Sequence, residues 1–134
     1  MNVDTWTSVL AGQGLARRGD DRRRWRDLLQ SAASDVALSY AQERAGLTHD
    51  RGQGEASPDI DKVTYVVDRQ RALNRPRTLP GGDAFEPQIA GMGEGIEELW
   101  QAYSADDDQW HAARARLKEA IQAFTAVVRR EIQR

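Results

Sequence analysis

The stretch that most constrains this chain is its last, residues 104–134, because it carries one apolar stripe at helical spacing. Trp110, Ala113, Leu117, Ala120, Ile121, Phe124, Val127, Val128 and Ile132 recur every three or four residues. That spacing puts them all on one face of an α-helix. Asp106, Asp107 and Asp108 stand at its start and Arg129, Arg130 and Arg134 at its end, each charge opposing the nearer pole of the helix dipole. Ser104, three residues before Asp107, predicts a capping-box start and a helix over 105–133. A lone helix cannot bury such a stripe. The rest of the chain, or a partner, must cover it.

The remaining segments offer that cover. Residues 20–45 predict a second long helix, capped by Asp20 or Asp21, with Trp25, Leu28, Leu29, Ala32, Val36, Ser39 and Tyr40 sharing a face. Gly46 is placed to end it in the left-handed conformation, and residues 48–56 read as a loop. Ser57-Pro58-Asp59 has the residue types of a helix start and predicts a helix over 57–73 facing Ile60, Val63, Val67 and Leu73 inward. The run Val63–Val67 is rich in β-formers, but the cap and the charges at Asp68, Arg69 and Arg71 favour helix. Pro76, Pro80, Gly81, Gly82 and Pro87 predict a long irregular connection over 75–87. A helix over 88–103 follows, with Ile89, Met92, Ile96, Leu99, Trp100 and Tyr103 in register and Gly91, Gly93 and Gly95 weakening its first half. Before all of these, Val3, Trp6, Val9, Leu10 and Leu15 predict a short helix over 3–16, interrupted by Gly12 and Gly14 and turning near Gly19. The expectation is an all-α fold: a four- to five-helix bundle, mostly antiparallel, forming one domain over 1–134.

Composition narrows the function. The net charge of −2 over 134 residues gives no global attraction to nucleic acid or to an acidic membrane. There is no cysteine, which removes disulfides, thiolate nucleophiles and Cys-based zinc sites. All basic residues except Lys62 and Lys118 are arginine, a bias that a GC-rich bacterial genome produces without selection on chemistry. Residues 1–18 lack the pattern of a secretory signal. No apolar run reaches the roughly 20 residues that cross a bilayer. A cytoplasmic location without membrane attachment is the expectation.

Four groups of residues are candidate sites. Arg22, Arg23, Arg24 and Arg26 surround Trp25, a combination that serves single-stranded nucleic acid by phosphate neutralisation and base stacking. Asp20, Asp21 and Asp27 flank them, and a solvated helix face is the simpler reading. Arg44-Ala-Gly-Leu-Thr-His49 has the spacing R-x4-H, which resembles the motif of HEPN-superfamily ribonucleases. The resemblance covers six residues and implies phosphate stabilisation by Arg44, proton transfer by His49 and a dimer. Glu94 and Glu97 form an E-x2-E pair resembling the first half of the magnesium motif of MazG-like nucleotide pyrophosphohydrolases, whose second half is missing here. Trp6, Val9 and Leu10 are the candidate partner-binding residues.

No complete catalytic constellation, metal site or cofactor motif emerges. The reading preferred from the sequence is a non-enzymatic interaction or assembly module, binding a partner protein or itself through amphipathic helix faces. The HEPN-like ribonuclease and the magnesium-dependent nucleotide hydrolase are the alternatives.

Overall fold

In the computed structural model, residues 18–134 are described, and Trp6, Val9, Leu10 and the short helix expected over 3–16 lie outside them. The described residues form four α-helices and no strand: α1 (Arg18–Gly52), α2 (Lys62–Thr78), α3 (Glu86–Ala102) and α4 (Asp107–Gln133), with a 3-10 turn (Gly82–Phe85) leading into α3. Successive helices run antiparallel. Asp35 pairs with Arg75 and Glu43 with Arg69 between α1 and α2. Trp25 reaches Pro80 just ahead of α3, while Arg51 reaches Tyr103 just after it, so α3 runs parallel to α1.

α3 and α4 make the tightest pair. Ile89, Met92, Gly95, Ile96 and Leu99 of α3 are buried, as are Trp110, Ala113, Leu117, Phe124 and Val128 of α4. Two edge-to-face aromatic contacts bracket this hairpin: Tyr103–Trp110 at 6.0 Å near the turn and Phe85–Phe124 at 6.3 Å at the far end. Between them the backbones come close at Gly95, where a Cβ would lie 3.3 Å from the Leu117 Cα. Arg51, at the end of α1, closes the α3–α4 turn. It donates to the carbonyls of Tyr103 and Ala105 and to Asp107, and its guanidinium lies 5.0 Å from the centre of the Trp110 ring. A cation there answers carbonyls that the end of a helix leaves without partners.

The glycines of α3 therefore differ in role, although they alternate in sequence. A Cβ at Gly91 or Gly93 meets nothing within 4 Å. Gly91→Ala and Gly93→Ala are each expected to stabilise the protein by about 0.5–1 kcal/mol in urea titrations, through helix propensity alone. Gly95→Ala shows no such gain, because Leu117 must yield to it.

Several expected boundaries shift. α1 does not stop at Gly46 but continues to Gly52. Gly46 instead sits inside the helix where α2 comes near, and a Cβ there would lie 3.0 Å from the Tyr65 hydroxyl. Residues 48–52, expected in a loop, are the last turn of α1. Ser57-Pro58-Asp59 does not start a helix. Asp61 caps α2, accepting from the Val63 amide at 3.0 Å and the Thr64 hydroxyl at 2.8 Å. The Thr64 hydrogen bond, with the backbone bond from Val63, holds the Asp61 carboxyl below its ordinary range. Likewise Asp106 caps α4 through the Gln109 amide at 2.8 Å, and Ser104 stays in the turn.

The long connection expected over 75–87 is largely helical. Pro76 lies inside α2, which runs on to Thr78, and Pro87 occupies the first turn of α3, where a missing N–H costs nothing. Only residues 79–81 separate α2 from the 3-10 turn. Gly81 adopts φ 79° there, a conformation that favours glycine. The Arg77 guanidinium grips both oxygens of Glu86 at 2.7 and 3.2 Å, tying the end of α2 to the start of α3.

The inward face of α2 also differs. Arg69, Leu73 and Pro76 are buried, whereas Val63 is 70% and Val67 42% exposed. In α1, Leu28 is 41% exposed and does not join the core.

Candidate functional site

Two places in the described structure hold polar chemistry that packing alone does not require. The first is a buried ion pair. Val36, Tyr40, Glu43 and Leu47 recur at helical spacing along the core face of α1 and are all buried. One of the four is thus a carboxylate. The Arg69 Nε of α2 donates to Glu43 Oε1 at 2.7 Å, and the Trp100 indole N–H of α3 donates to Oε2 at 2.5 Å. Glu43 therefore joins three helices. Burial pushes its carboxyl above the ordinary carboxylate range, against the opposing pull of the Trp100 hydrogen bond and the Arg69 charge. The Arg69 guanidinium lies 5.6 Å from the centre of the Tyr40 ring, and its Nη2 is buried without a hydrogen-bond partner. Burial raises the Tyr40 hydroxyl as well, with Arg69 acting the other way. At the rim, Lys62 stacks on Trp100 at 5.2 Å and pairs with Glu97 at 3.3 Å.

The second place is a cleft of about 300 Å³ between the middle of α1 and the end of α4. Ala33, Ala37, Val128 and Ile132 supply apolar surface; Gln30, Ser34, Thr125 and Gln133 supply neutral polar groups; Arg129 is the one charge. No carboxylate lines it. Next to the cleft, the exposed α1 residues Ser31, Ser34, Leu38, Ala41, Gln42 and Ala45 are uncharged, with Leu38 55% exposed, and the carboxylate among them, Asp35, is paired with Arg75.

The residues singled out from the sequence are distributed as follows. Arg44 and His49 are both on α1, five residues apart, so they point about 140° away from one another around the helix. The Arg44 Nε donates to the Arg114 carbonyl of α4 at 3.2 Å, and His49 is exposed. Burial, then the neighbouring Arg114 charge, lowers the Arg44 guanidinium pKa. Glu94 is exposed on α3 and Glu97 is held by Lys62. No group of three or more His, Asp or Glu able to hold a metal occurs among the described residues. Arg22, Arg23 and Arg24 are exposed and Arg26 half-buried. Trp25 between them is not free for base stacking, because it is half-buried and its indole donates to the Pro80 carbonyl at 3.1 Å.

Sequence reasoning missed both places. Glu43 carried a usable signal, since it continues the three-and-four spacing of Val36 and Tyr40 toward Leu47 and a charge on an apolar stripe calls for a buried partner. The cleft carried none, because it depends on how two helices distant in sequence diverge.

No family model matches the chain, and no curated protein and no solved structure matches it. No described helix is long and apolar enough to cross a membrane.

Proposed function

We propose that this protein acts without catalysis, as a helical-bundle interaction module that docks a protein partner in the cleft between α1 and α4. One observation supports this reading above the others: the cleft joins an apolar floor to a single cation, Arg129, with no carboxylate among its lining residues. Such a surface suits an amphipathic segment that inserts an apolar side chain and sets an acidic one against Arg129. The uncharged residues Leu38, Ala41, Gln42 and Ala45 on the outer face of α1 extend the same surface. A second copy of the chain is the other occupant this reading admits.

The test uses the intact protein. Ser34→Arg and Ala37→Arg place charge in the cleft without touching the α3–α4 core. Sedimentation velocity and affinity capture, each with quantified stoichiometry, compare them with wild type and with Lys118→Glu, a change at an exposed position of α4 outside the cleft. The expected result is a dimer or a stoichiometric protein complex that both cleft variants lose and Lys118→Glu keeps. Hydrolysis of RNA that disappears in His49→Ala, or of nucleotides that disappears in Glu97→Ala, overturns the reading.

A further inference from the structure

We infer that α2 is a releasable strap, hinged near Gly54 and Gly81 and latched to α1 by the Glu43–Arg69 ion pair. It opens while α1, α3 and α4 stay folded. The inference is independent of the α1–α4 cleft. Asp35, which α2 grips, and Arg44, which faces α4, are nine residues apart on α1, about half a turn around the helix.

Four observations carry it. First, the backbone of α2 packs closely on one side only, and it reaches α3 just through the exposed pairs of Lys62 with Glu97 and Arg77 with Glu86. No Cα of α2 lies within 8 Å of one in α3 or α4, and its helix neighbour among the described residues is α1, with the 3-10 turn at its end. Second, its buried face is short and partly ionic: Arg69, Leu73 and Pro76, against the wholly apolar or glycine face that α3 buries. Val63 and Val67, which would anchor a fully docked helix, point to solvent.

Third, the latch is poorly compensated. A buried ion pair loses the hydration of both partners, and its mutual attraction restores that only when all polar atoms are satisfied. Here Arg69 Nη2 has no partner. The buried Asp50 carboxylate accepts from the amides of Asp59 and Ile60 ahead of α2, and the other ties are exposed: Arg75 with Asp35, Lys62 with Glu97 and Arg77 with Glu86. Exposed pairs of this kind add little. Fourth, Gly54 at φ 80° and Gly81 at φ 79° are the positive-φ residues of the described chain, and they stand on either side of α2. Backbone that glycine alone adopts freely is where a chain swings at low cost.

Amide hydrogen exchange of the wild-type protein, read by mass spectrometry in the absence of denaturant, tests the strap. The amides of α2 are expected to exchange together, about a hundredfold faster than the core amides of α3 and α4, as a separate opening unit does. Arg69→Gln, which breaks the latch, is expected to speed α2 exchange by about another tenfold and to leave α3 and α4 unchanged. Three results overturn the inference: α2 protected as strongly as α3 and α4 in wild type, α2 rates unaltered by Arg69→Gln, or loss of the whole helical circular-dichroism signal in that variant.

Discussion

Phe124→Ala is expected to cost about 3–5 kcal/mol of stability, the range for removing a fully enclosed aromatic ring. Phe124 is wholly buried on α4 and meets the edge of Phe85 at an interplanar angle of 82°. Three elements lose contact at once when the ring goes: α4, the 3-10 turn that carries Phe85, and the start of α3. For a domain of this size the loss corresponds to a fall in melting temperature of about 10–20 °C. Urea titration gives the free energy directly, and an unchanged m-value would confirm that the same surface unfolds. A loss below about 1.5 kcal/mol would mean that the ring is not enclosed as described.

Gly82→Ala is the second large effect, from a position with no chemistry of its own. A Cβ at residue 82 would stand 1.9 Å from the Pro76 carbonyl oxygen and 2.9 Å from its carbon. Both are backbone atoms in the last turns of α2, so no side-chain rotation relieves the clash. The chain between α2 and the 3-10 turn must move, and Trp25, which donates to the Pro80 carbonyl in that connection, loses its geometry with it. The expected cost is about 3 kcal/mol, the upper end for overpacking. Alanine at Gly91 or Gly93 acts in the opposite direction, so the three variants together separate space from propensity. A neutral Gly82→Ala in thermal unfolding would show that the chain after α2 does not fold back on the helix as tightly as the structure has it.

Much of the helical organisation was legible because amphipathic spacing is a local property. The stripe from Trp110 to Ile132 lies along the core side of α4, with Trp110, Leu117, Phe124 and Val128 buried. Ile89, Met92, Ile96 and Leu99 do the same in α3. Misjudged positions share a cause. Gly46, Pro76 and Pro87 predict breaks, because their types break isolated helices. In the folded chain Gly46 gives room to Tyr65, Pro76 packs in the core and Pro87 needs no N–H. Spacing places Val63, Val67 and Leu73 together in the core, but the face of α2 that packs on α1 buries Arg69 and Pro76 beside Leu73 and leaves both valines outside. None of these choices has a local signature.

The candidate places divide along the same line. That Glu43 stands on an apolar stripe is visible in the sequence; that its partners are Arg69, 26 residues away, and Trp100, 57 residues away, is not. The cleft on α1 and α4 required both helices in position before Arg129 had any neighbourhood to describe. The sequence by itself determined that the described residues build helices, since a period of 3.6 residues follows from backbone geometry and needs no distant contact. Only the tertiary structure decided which glycines make room, which charge is buried and where a surface stays open. Those depend on residues brought together across the chain, where closeness in space bears no relation to closeness in sequence.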